Sequence, residues 1–366
     1  MRLRTLDLAH FRNITSIHLE PTGGLNLFTG ANAQGKTNLL EAIAFLGLGC
    51  SFRDAELGQL VRHQQQEAHI QATTTTTNGD DRWSASITSE RKEIQRNGKT
   101  VRGSRCGLPC VLFSPDETTL LREAPAARRR YLDRLLVTLH PSYRPLLRDY
   151  ERVVTQRNRL LNDDTTSRQA VVAQLPHWDD QLVTQGSQLI EMRVQWVEKL
   201  KPFLRAASTR LASDDGDATL NYLPSCGADF VATREQIAIR LTSLLYERRT
   251  DERDRRVTLV GPHRDDWRVT IGGDDAKRFA SQGQHRSLIL ALKLAEMELR
   301  RQVLGDLPIT LLDDVMSELD RKRAERLLMY VREYGSQVFL TTTEGHETSA
   351  DAVFEIRSGS ALPLYF

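Results

Sequence analysis

The sequence predicts a mixed α/β fold divided by a helical insertion, and three segments carry that prediction. Gly30-Ala31-Asn32-Ala33-Gln34-Gly35-Lys36-Thr37 fits the phosphate-binding pattern G-x-x-x-x-G-K-[ST] between a strand-like and a helix-like run. Pro308-Ile309-Thr310-Leu311-Leu312-Asp313-Asp314 is an apolar strand ending in paired carboxylates. Between them, from about Arg122 to Arg253, the pattern turns helical with arginine-rich faces. The sequence therefore implies one head in two lobes, 1–121 and 256–366, with a helical arm over 122–255.

Each residue type in the first segment has a chemical reason to be there. Leu25-Asn26-Leu27-Phe28-Thr29 reads as a strand and Asn38-Leu39-Leu40-Glu41-Ala42-Ile43 as the start of a helix, so the glycines fall at the turn. Gly30 and Gly35 permit backbone angles that a Cβ would forbid. The exposed N–H groups and helix N-terminus then face phosphate oxygens. Lys36 is expected to reach the β- and γ-phosphates of ATP, and the Thr37 hydroxyl to ligate Mg²⁺.

At the far end, Leu311 and Leu312 bury the strand while Asp313 and Asp314 emerge at its tip, as in a Walker B strand. Asp313 is expected to hold Mg²⁺ or its water, since that ion prefers oxygen ligands. Asp314 stands where many ATPases carry a Glu that orients the attacking water; one methylene fewer implies slow hydrolysis. Ahead of this strand, Ser281-Gln282-Gly283-Gln284 opens an apolar run of helix formers, Leu288 to Glu296. Ser281 alone reads equally as an N-cap. Ser281, Gly283 and Gln284 also match S-x-G-Q of the ABC signature, with Gln282 departing from the usual glycine. The order P-loop, signature, Walker B is that of ABC-type ATPases, which close ATP between two subunits.

Composition narrows the class. A chain of 366 residues has ample core for two or three domains. Mean hydropathy of -0.43 and 27% charged residues indicate a soluble protein. The weakly polar stretch Ala42–Cys50 is too short to span a bilayer, and Met1-Arg2-Leu3-Arg4 leads into an alternating strand, not a secretory segment. Cys50, Cys106, Cys110 and Cys226 lack histidines at metal spacing, which implies reduced thiols and a cytoplasmic location. With a net charge of only +2, any nucleic-acid surface must be local.

Turn signals order the rest. Asn78-Gly79 and Asn97-Gly98 between alternating runs predict hairpins. The Thr73–Thr77 run reads as strand because β-branched residues suit a pleated surface. Helix breaks are expected at Pro141, Asn162-Asp163-Asp164, Pro176 and Asp214-Asp215-Gly216-Asp217.

Taken together, the residues resemble the RecF family of bacterial recombination mediators, relatives of the SMC heads in which a short helical arm replaces the long coiled coil. The resemblance rests on Phe11-Arg12-Asn13, the P-loop with Asn38-Leu39-Leu40-Glu41-Ala42-Ile43, Ser51-Phe52-Arg53 and Phe113-Ser114-Pro115-Asp116. It continues through Arg128-Arg129-Arg130-Tyr131-Leu132-Asp133, Gly261-Pro262-His263-Arg264-Asp265-Asp266, and Leu312-Asp313-Asp314-Val315 with Ser317-Glu318-Leu319-Asp320. It implies an ATP-dependent homodimer on DNA at single-strand gaps or junctions. It also implies cooperation with RecR and RecO in loading recombinase, a part in repair and SOS induction, and weak DNA-stimulated ATPase activity. Thr341-Thr342-Thr343 occupies the region of the ABC switch histidine, and His346 lies nearby.

For DNA contact the sequence offers Arg128, Arg129 and Arg130, with Arg53 a further candidate for nucleotide or DNA. The competing reading makes Arg128–Arg130 a structural brace. A second cluster, Arg248, Arg249, Arg253, Arg255 and Arg256, is diluted by acids, and His263 reads as a turn or packing residue. Two other functions share the ATP motifs: the nucleotide-binding subunit of a membrane transporter, and a clamp that binds ATP without turnover. The arginine-rich insertion argues against the first, and intact Lys36, Thr37, Asp313 and Asp314 against the second. No nuclease carboxylate set or hydrolase triad is evident.

Overall fold

The computed structural model describes residues 1–366 except 78, 102–106, 164–167, 212–215, 228–232, 344–349 and 365–366, and it gives no side-chain placement for 116 and 168–172. Asn78, Cys106, Asp164, Asp214, Asp215 and His346, and the side chain of Asp116, lie outside the described residues. Two compact units emerge: Met1–Thr118 with Ala206–Asp214 and Gln282–Phe366, and Thr119–Arg205 with Asp215–Ser281.

The first unit holds two six-stranded sheets around one helix. One sheet is antiparallel, in the order β2-β1-β4-β5-β6-β7. Its strands are β1 (Arg2–Ala9), β2 (Ser16–Leu19), β4 (Ala68–Thr76), β5 (Gly79–Ile87), β6 (Lys92–Arg96) and β7 (Lys99–Thr100). Burial alternates along β4 and β5, as expected of a sheet with one face on the core. The threonine run lies in β4, and Asn97 and Gly98 both take positive φ at the β6–β7 turn.

The other sheet runs β15-β14-β3-β13-β12-β8. Here β3 (Leu25–Thr29), β8 (Cys110–Phe113), β12 (Ile309–Leu312), β13 (Val338–Thr342) and β14 (Ala352–Arg357) are parallel. Only the edge strand β15 (Ser360–Leu364) pairs antiparallel. β8, β12 and β13 are buried at every residue, and apart from Thr310, Thr341 and Thr342 those residues are apolar. Helix α1 (Lys36–Leu48) touches strands of both sheets and is buried nearly all round. Its Leu39, Leu40, Ile43 and Phe45 share one core with Leu6, Ile70 and Trp83 of the first sheet and Phe28 and Phe339 of the second. The short α2 (Leu57–Leu60), the long α9 (Gln282–Leu304) and α10 (Arg321–Glu333) complete this unit.

The second unit contains α3 (Pro125–Leu139), α4 (Tyr143–Leu161), most of α5 (Arg168–Leu211), α6 (Arg234–Glu247), α7 (Arg249–Arg255) and α8 (Ala276–Phe279). It also has its own sheet, β11-β10-β9, from β9 (Ala218–Leu223), β10 (Asp266–Ile271) and β11 (Asp274–Asp275). Two expectations change here. The sequence places 256–366 in the head, but β10 finds its partner inside the insertion, with Trp267 opposite Tyr222. The unit therefore runs on to Ser281 rather than ending at 255. Pro176 does not break a helix: α5 continues through Pro176 and Pro202. Burial of Leu175, Leu182, Leu189 and Ile190 offsets the lost backbone bond, a cost of about 3 kcal/mol.

Three arginines of this unit, Arg128, Arg157 and Arg193, are internal. Arg157, 1% exposed, donates to Asp179, Thr258 and Glu252 at 2.8, 2.9 and 2.6 Å, tying α4 to α5 and α7. Arg193 does the same with Asp133 and the Pro262 carbonyl, each at 2.8 Å. His263 sits in the same interior, its Nδ1 2.6 Å from the Tyr150 hydroxyl and its Nε2 3.1 Å from the Thr258 carbonyl. Only the neutral Nε2–H tautomer satisfies both neighbours while accepting from Tyr150. Burial, reinforced by Arg264, Arg129 and Arg157, pushes its pKa down to about 4.

That shift predicts acid sensitivity. Unfolded His263 takes up a proton below its ordinary value of 6.5, whereas folded His263 resists until about 4. Its share of stability is thus complete above 6.5 and is lost as pH falls toward 4, at about 1.4 kcal/mol per unit. Denaturant titrations of the parent and His263→Asn across this window should give a shallower acid slope for the variant.

Candidate nucleotide site

The P-loop is a strained turn held from two sides. Gly30 has φ of 143°, and a Cβ there would lie 2.4 Å from the Ile356 carbonyl oxygen. Gly35, at the N-cap of α1, has φ of 114°. Between them Ala33 takes a left-handed φ of 63° in spite of its side chain, a cost of roughly 1–2 kcal/mol. The β14–β15 turn holds this shape, for Gln34 accepts from Ser358 N at 2.6 Å through its side chain and from Gly359 N at 3.0 Å through its carbonyl. Gly35 brings no side chain to cap α1, and the first turn of that helix carries no acid, so its N–H groups and dipole favour an anion.

Around this turn the two ends of the chain meet. Thr37 Oγ1 donates to Asp313 Oδ1 at 2.8 Å. Thr341 Oγ1, from β13, donates to the same oxygen at 2.9 Å and accepts from Asp314 N at 2.9 Å. Burial raises the Asp313 pKa, and the hydrogen bonds from Thr37 and Thr341 oppose it. Lys36 is 8% exposed, with Nζ 2.5 Å from the Gly30 and 2.9 Å from the Ala31 carbonyls. Burial lowers its pKa, and Asp314 and Asp313 push the other way. Asp314 itself adopts a left-handed φ of 46° just past the strand tip.

The donor set fits Mg²⁺ with a triphosphate. One hydroxyl and one carboxylate side by side leave room for the phosphate oxygens and waters this ion prefers. Among the described residues no group of three or more His, Cys, Asp or Glu forms a metal site, so a soft-metal centre has no donors there.

Beside α1 opens a cleft of about 780 Å³, lined among others by Arg12, Asn13, Asn38, Arg53, Arg62 and His63. Glu41 on α1, fully buried, organises its wall, accepting from Arg12 at 2.8 and 2.7 Å and from Ser51 at 2.5 Å. Arg53 lies on this side, 3.4 Å from Asn38 Oδ1 and close enough to lower the Asp313 pKa.

Ser281 is exposed immediately before α9, and Gly283 and Gln284 are half-exposed in its first turn. The arginine trio separates. Arg128, 4% exposed, grips both carboxylate oxygens of Asp266 at 2.7 and 2.6 Å, so it is the brace and not the expected DNA contact. Half-buried Arg129 donates to the Asp265 carbonyl at 2.7 Å, while Arg130 faces solvent. In the second cluster, Arg248 pairs with Asp251 and Arg249 with Asp179.

Two features were missed from sequence. Thr341 looked like a placeholder for an absent histidine, yet it grips both Walker B aspartates. On α4, Arg144, Arg148 and Arg152 recur every four residues and Arg159 follows seven later, and all four are exposed. Among the described residues Arg144, Arg152 and Arg159 form no ion pair, whereas Arg148 pairs with Asp149. The four-residue spacing was visible, but the helix boundaries were needed to read it as a face.

Residues 2–360 match the model of the RecF/RecN/SMC N-terminal domain. The chain belongs to this family. A DNA replication and repair protein RecF of Heliobacterium modesticaldum is 38% identical over 368 residues, covering 98% of both chains. One from Symbiobacterium thermophilum is 40% identical over 376 residues, covering 99% of this chain and 98% of that relative. Among solved structures, the recombination mediator protein RecF with ATP superposes with a TM-score of 0.90 at 31% identity, over 99% of this chain and 97% of that one. The Smc head domain of Pyrococcus furiosus, at 15% identity and a TM-score of 0.56, covers 99% of this chain and 95% of its own and shares the fold. The architecture is thus an ABC-type ATPase head carrying a helical unit.

Thr341→Val keeps shape but removes both hydrogen bonds to the Walker B turn. Loss of such a supporting partner is expected to lower steady-state ATPase activity about 10- to 100-fold with little change in fold. Parental turnover would show that Asp313 and Asp314 hold their places without Thr341.

Proposed function

We propose that this chain is an ATP-switched DNA-binding recombination mediator. One observation carries the reading: Thr37 and Asp313, 276 residues apart, meet at 2.8 Å beside the P-loop, which builds a magnesium–triphosphate site. Gly30 to Thr37 cradle the phosphates, Lys36 turns from its carbonyl partners to the β- and γ-oxygens, and Thr37 and Asp313 hold Mg²⁺. The polar cleft beside α1 takes the nucleoside end. Asp314 positions water, and its short side chain keeps turnover slow, so ATP acts as a timer rather than a fuel.

ATP closes two copies head to head. The γ-phosphate on one head is met by Ser281, Gly283 and Gln284 of the other, whose helix start supplies N–H donors. ADP lacks that bridge and releases the dimer. In this reading gapped and junction DNA is the surface on which this happens, with RecR and RecO as partners in the cytoplasm; a relative named a DNA replication and repair protein and a solved recombination mediator of the RecFOR pathway support it. They also weigh against a transporter subunit. No helix of the described residues is long and apolar enough to cross a membrane.

DNA contact on the helical unit falls to the exposed arginines, Arg130 and the α4 row of Arg144, Arg152 and Arg159. Replacing Arg130, Arg144 and Arg152 by Ala should weaken DNA binding across sequences and flatten the log-affinity versus log-salt slope, by about one unit per lost phosphate contact. Arg128→Ala should instead lower Tm and leave the slope of the folded fraction unchanged.

Sedimentation with ATP, ADP and gapped DNA tests the switch itself. Lys36→Ala should lose ATP binding. Ser281→Arg should bind ATP as a monomer, fail to dimerise and hydrolyse little. A Ser281→Arg protein that dimerises with ATP as the parent does would make Ser281 a helix cap and sink the sandwich.

A further inference from the structure

Helix α9 is held at its start by two contacts that the ATP chemistry does not use. Arg286 Nη2 lies 2.5 Å from Glu318 Oε2, joining the second turn of α9 to the 3-10 turn Val315–Glu318 that follows Walker B. One turn earlier, a Cβ on Gly283 would stand 3.0 Å from Arg323 Nη1, so α10 rests directly on the signature turn. Arg323 is itself fixed by Asp320, which lies 3.2 Å from its guanidinium and accepts its backbone N–H at 3.0 Å. On the other side, the Ser317 hydroxyl donates to the Asp314 carbonyl at 2.7 Å. A closed path therefore runs from Asp314 through Ser317, Glu318 and Arg286 to α9, and returns through Gly283, Arg323 and Asp320. Ile289, Leu290, Val315 and Leu319 line the small apolar gap beside it.

The two side chains of the Arg286–Glu318 pair are 34% and 32% exposed. A pair this accessible to water adds little to folding stability. What it does fix is an angle. α9 begins with the residues offered to a second copy, while the turn bearing Glu318 carries Asp314 at its head.

We propose that Arg286 and Glu318 are positioning residues that lock the signature turn to the Walker B turn, coupling the two ATP sites of a dimer. The proposal rests on the head-to-head reading above. Seating of Ser281 and Gly283 on the partner's γ-phosphate pulls on α9, and the ion pair passes that displacement to Glu318 and Ser317. Asp314 sits at φ of 46°, in a conformation that its neighbours must hold, so a small shift of the turn re-aims its carboxylate at water. Each head thereby readies its own Asp314 only when its signature turn is engaged by the other. Neither residue belongs to the P-loop or to the Walker B pair.

Charge exchange tests this. Arg286→Glu and Glu318→Arg should each lower kcat about tenfold, a usual size for coupling between sites, and weaken the ATP-induced dimer. ATP binding by the monomeric head and Tm should stay at parental values, because the P-loop and core are untouched. The double exchange, Arg286→Glu with Glu318→Arg, should restore most of kcat and of the dimer. Single variants with parental kcat, or a double exchange no better than the singles, would overturn the coupling. Parent protein that fails to dimerise with ATP would instead overturn the head-to-head reading.

Discussion

The hydrogen bond from Thr37 to Asp313 depends on nearly everything else in the first unit, and the proposed nucleotide chemistry rests on it. Thr37 is placed by α1, and Asp313 by the tip of β12. These elements meet because β3, β13 and β12 are adjacent parallel strands whose C-terminal ends open on one edge. α1 in turn is gripped between two sheets and buried on nearly every face, which leaves it no freedom to slide. A shift of an ångström in either sheet would separate the hydroxyl from the carboxylate. The stiffness of the core is thus what keeps a phosphate site assembled from residues 276 apart.

Strain and charge are concentrated at that edge. Ala33 and Asp314 both hold left-handed backbones, and Lys36, Asp313 and Glu41 are charged groups withdrawn from water. Each is satisfied by a named neighbour. The Gly30 and Ala31 carbonyls receive Lys36, Thr37 and Thr341 serve Asp313, and Arg12 with Ser51 serves Glu41. Groups so arranged are costly to keep and are found where chemistry needs them ready before the ligand arrives. The β14–β15 turn, which clasps Gln34, gives the C-terminal strands a direct part in shaping the P-loop.

Arginine does two different jobs in this chain. Arg128, Arg157 and Arg193 are buried, and each is bound to a carboxylate. Their planar five-donor heads link helix to helix and, at Arg128, α3 to β10 within the second unit. Arg130, Arg144, Arg152 and Arg159 keep their heads in solvent and give this unit positive charge at its surface in a chain whose net charge is only +2.

The sequence by itself determined what short-range chemistry can encode. Gly30, Gly35, Lys36 and Thr37 define a phosphate turn because their spacing leaves few other conformations, and β12 announces itself by an apolar run that stops at two aspartates. The hairpin at Asn97-Gly98 and the threonine strand were equally legible, since turn angles and side-chain alternation are local properties. Tertiary structure decided the rest. Whether Arg128 met DNA or Asp266 depended on a carboxylate 138 positions away. β10 left the head for the second unit because its pairing partner was β9, which no local pattern names. Pro176 was passed over because buried leucines along α5 outweighed one missing N–H. Thr341 became a ligand of the Walker B turn only through strand order, which set β13 beside β12. Local residues fix angles and charges; which distant group answers each of them is settled by how the sheets and helices stack.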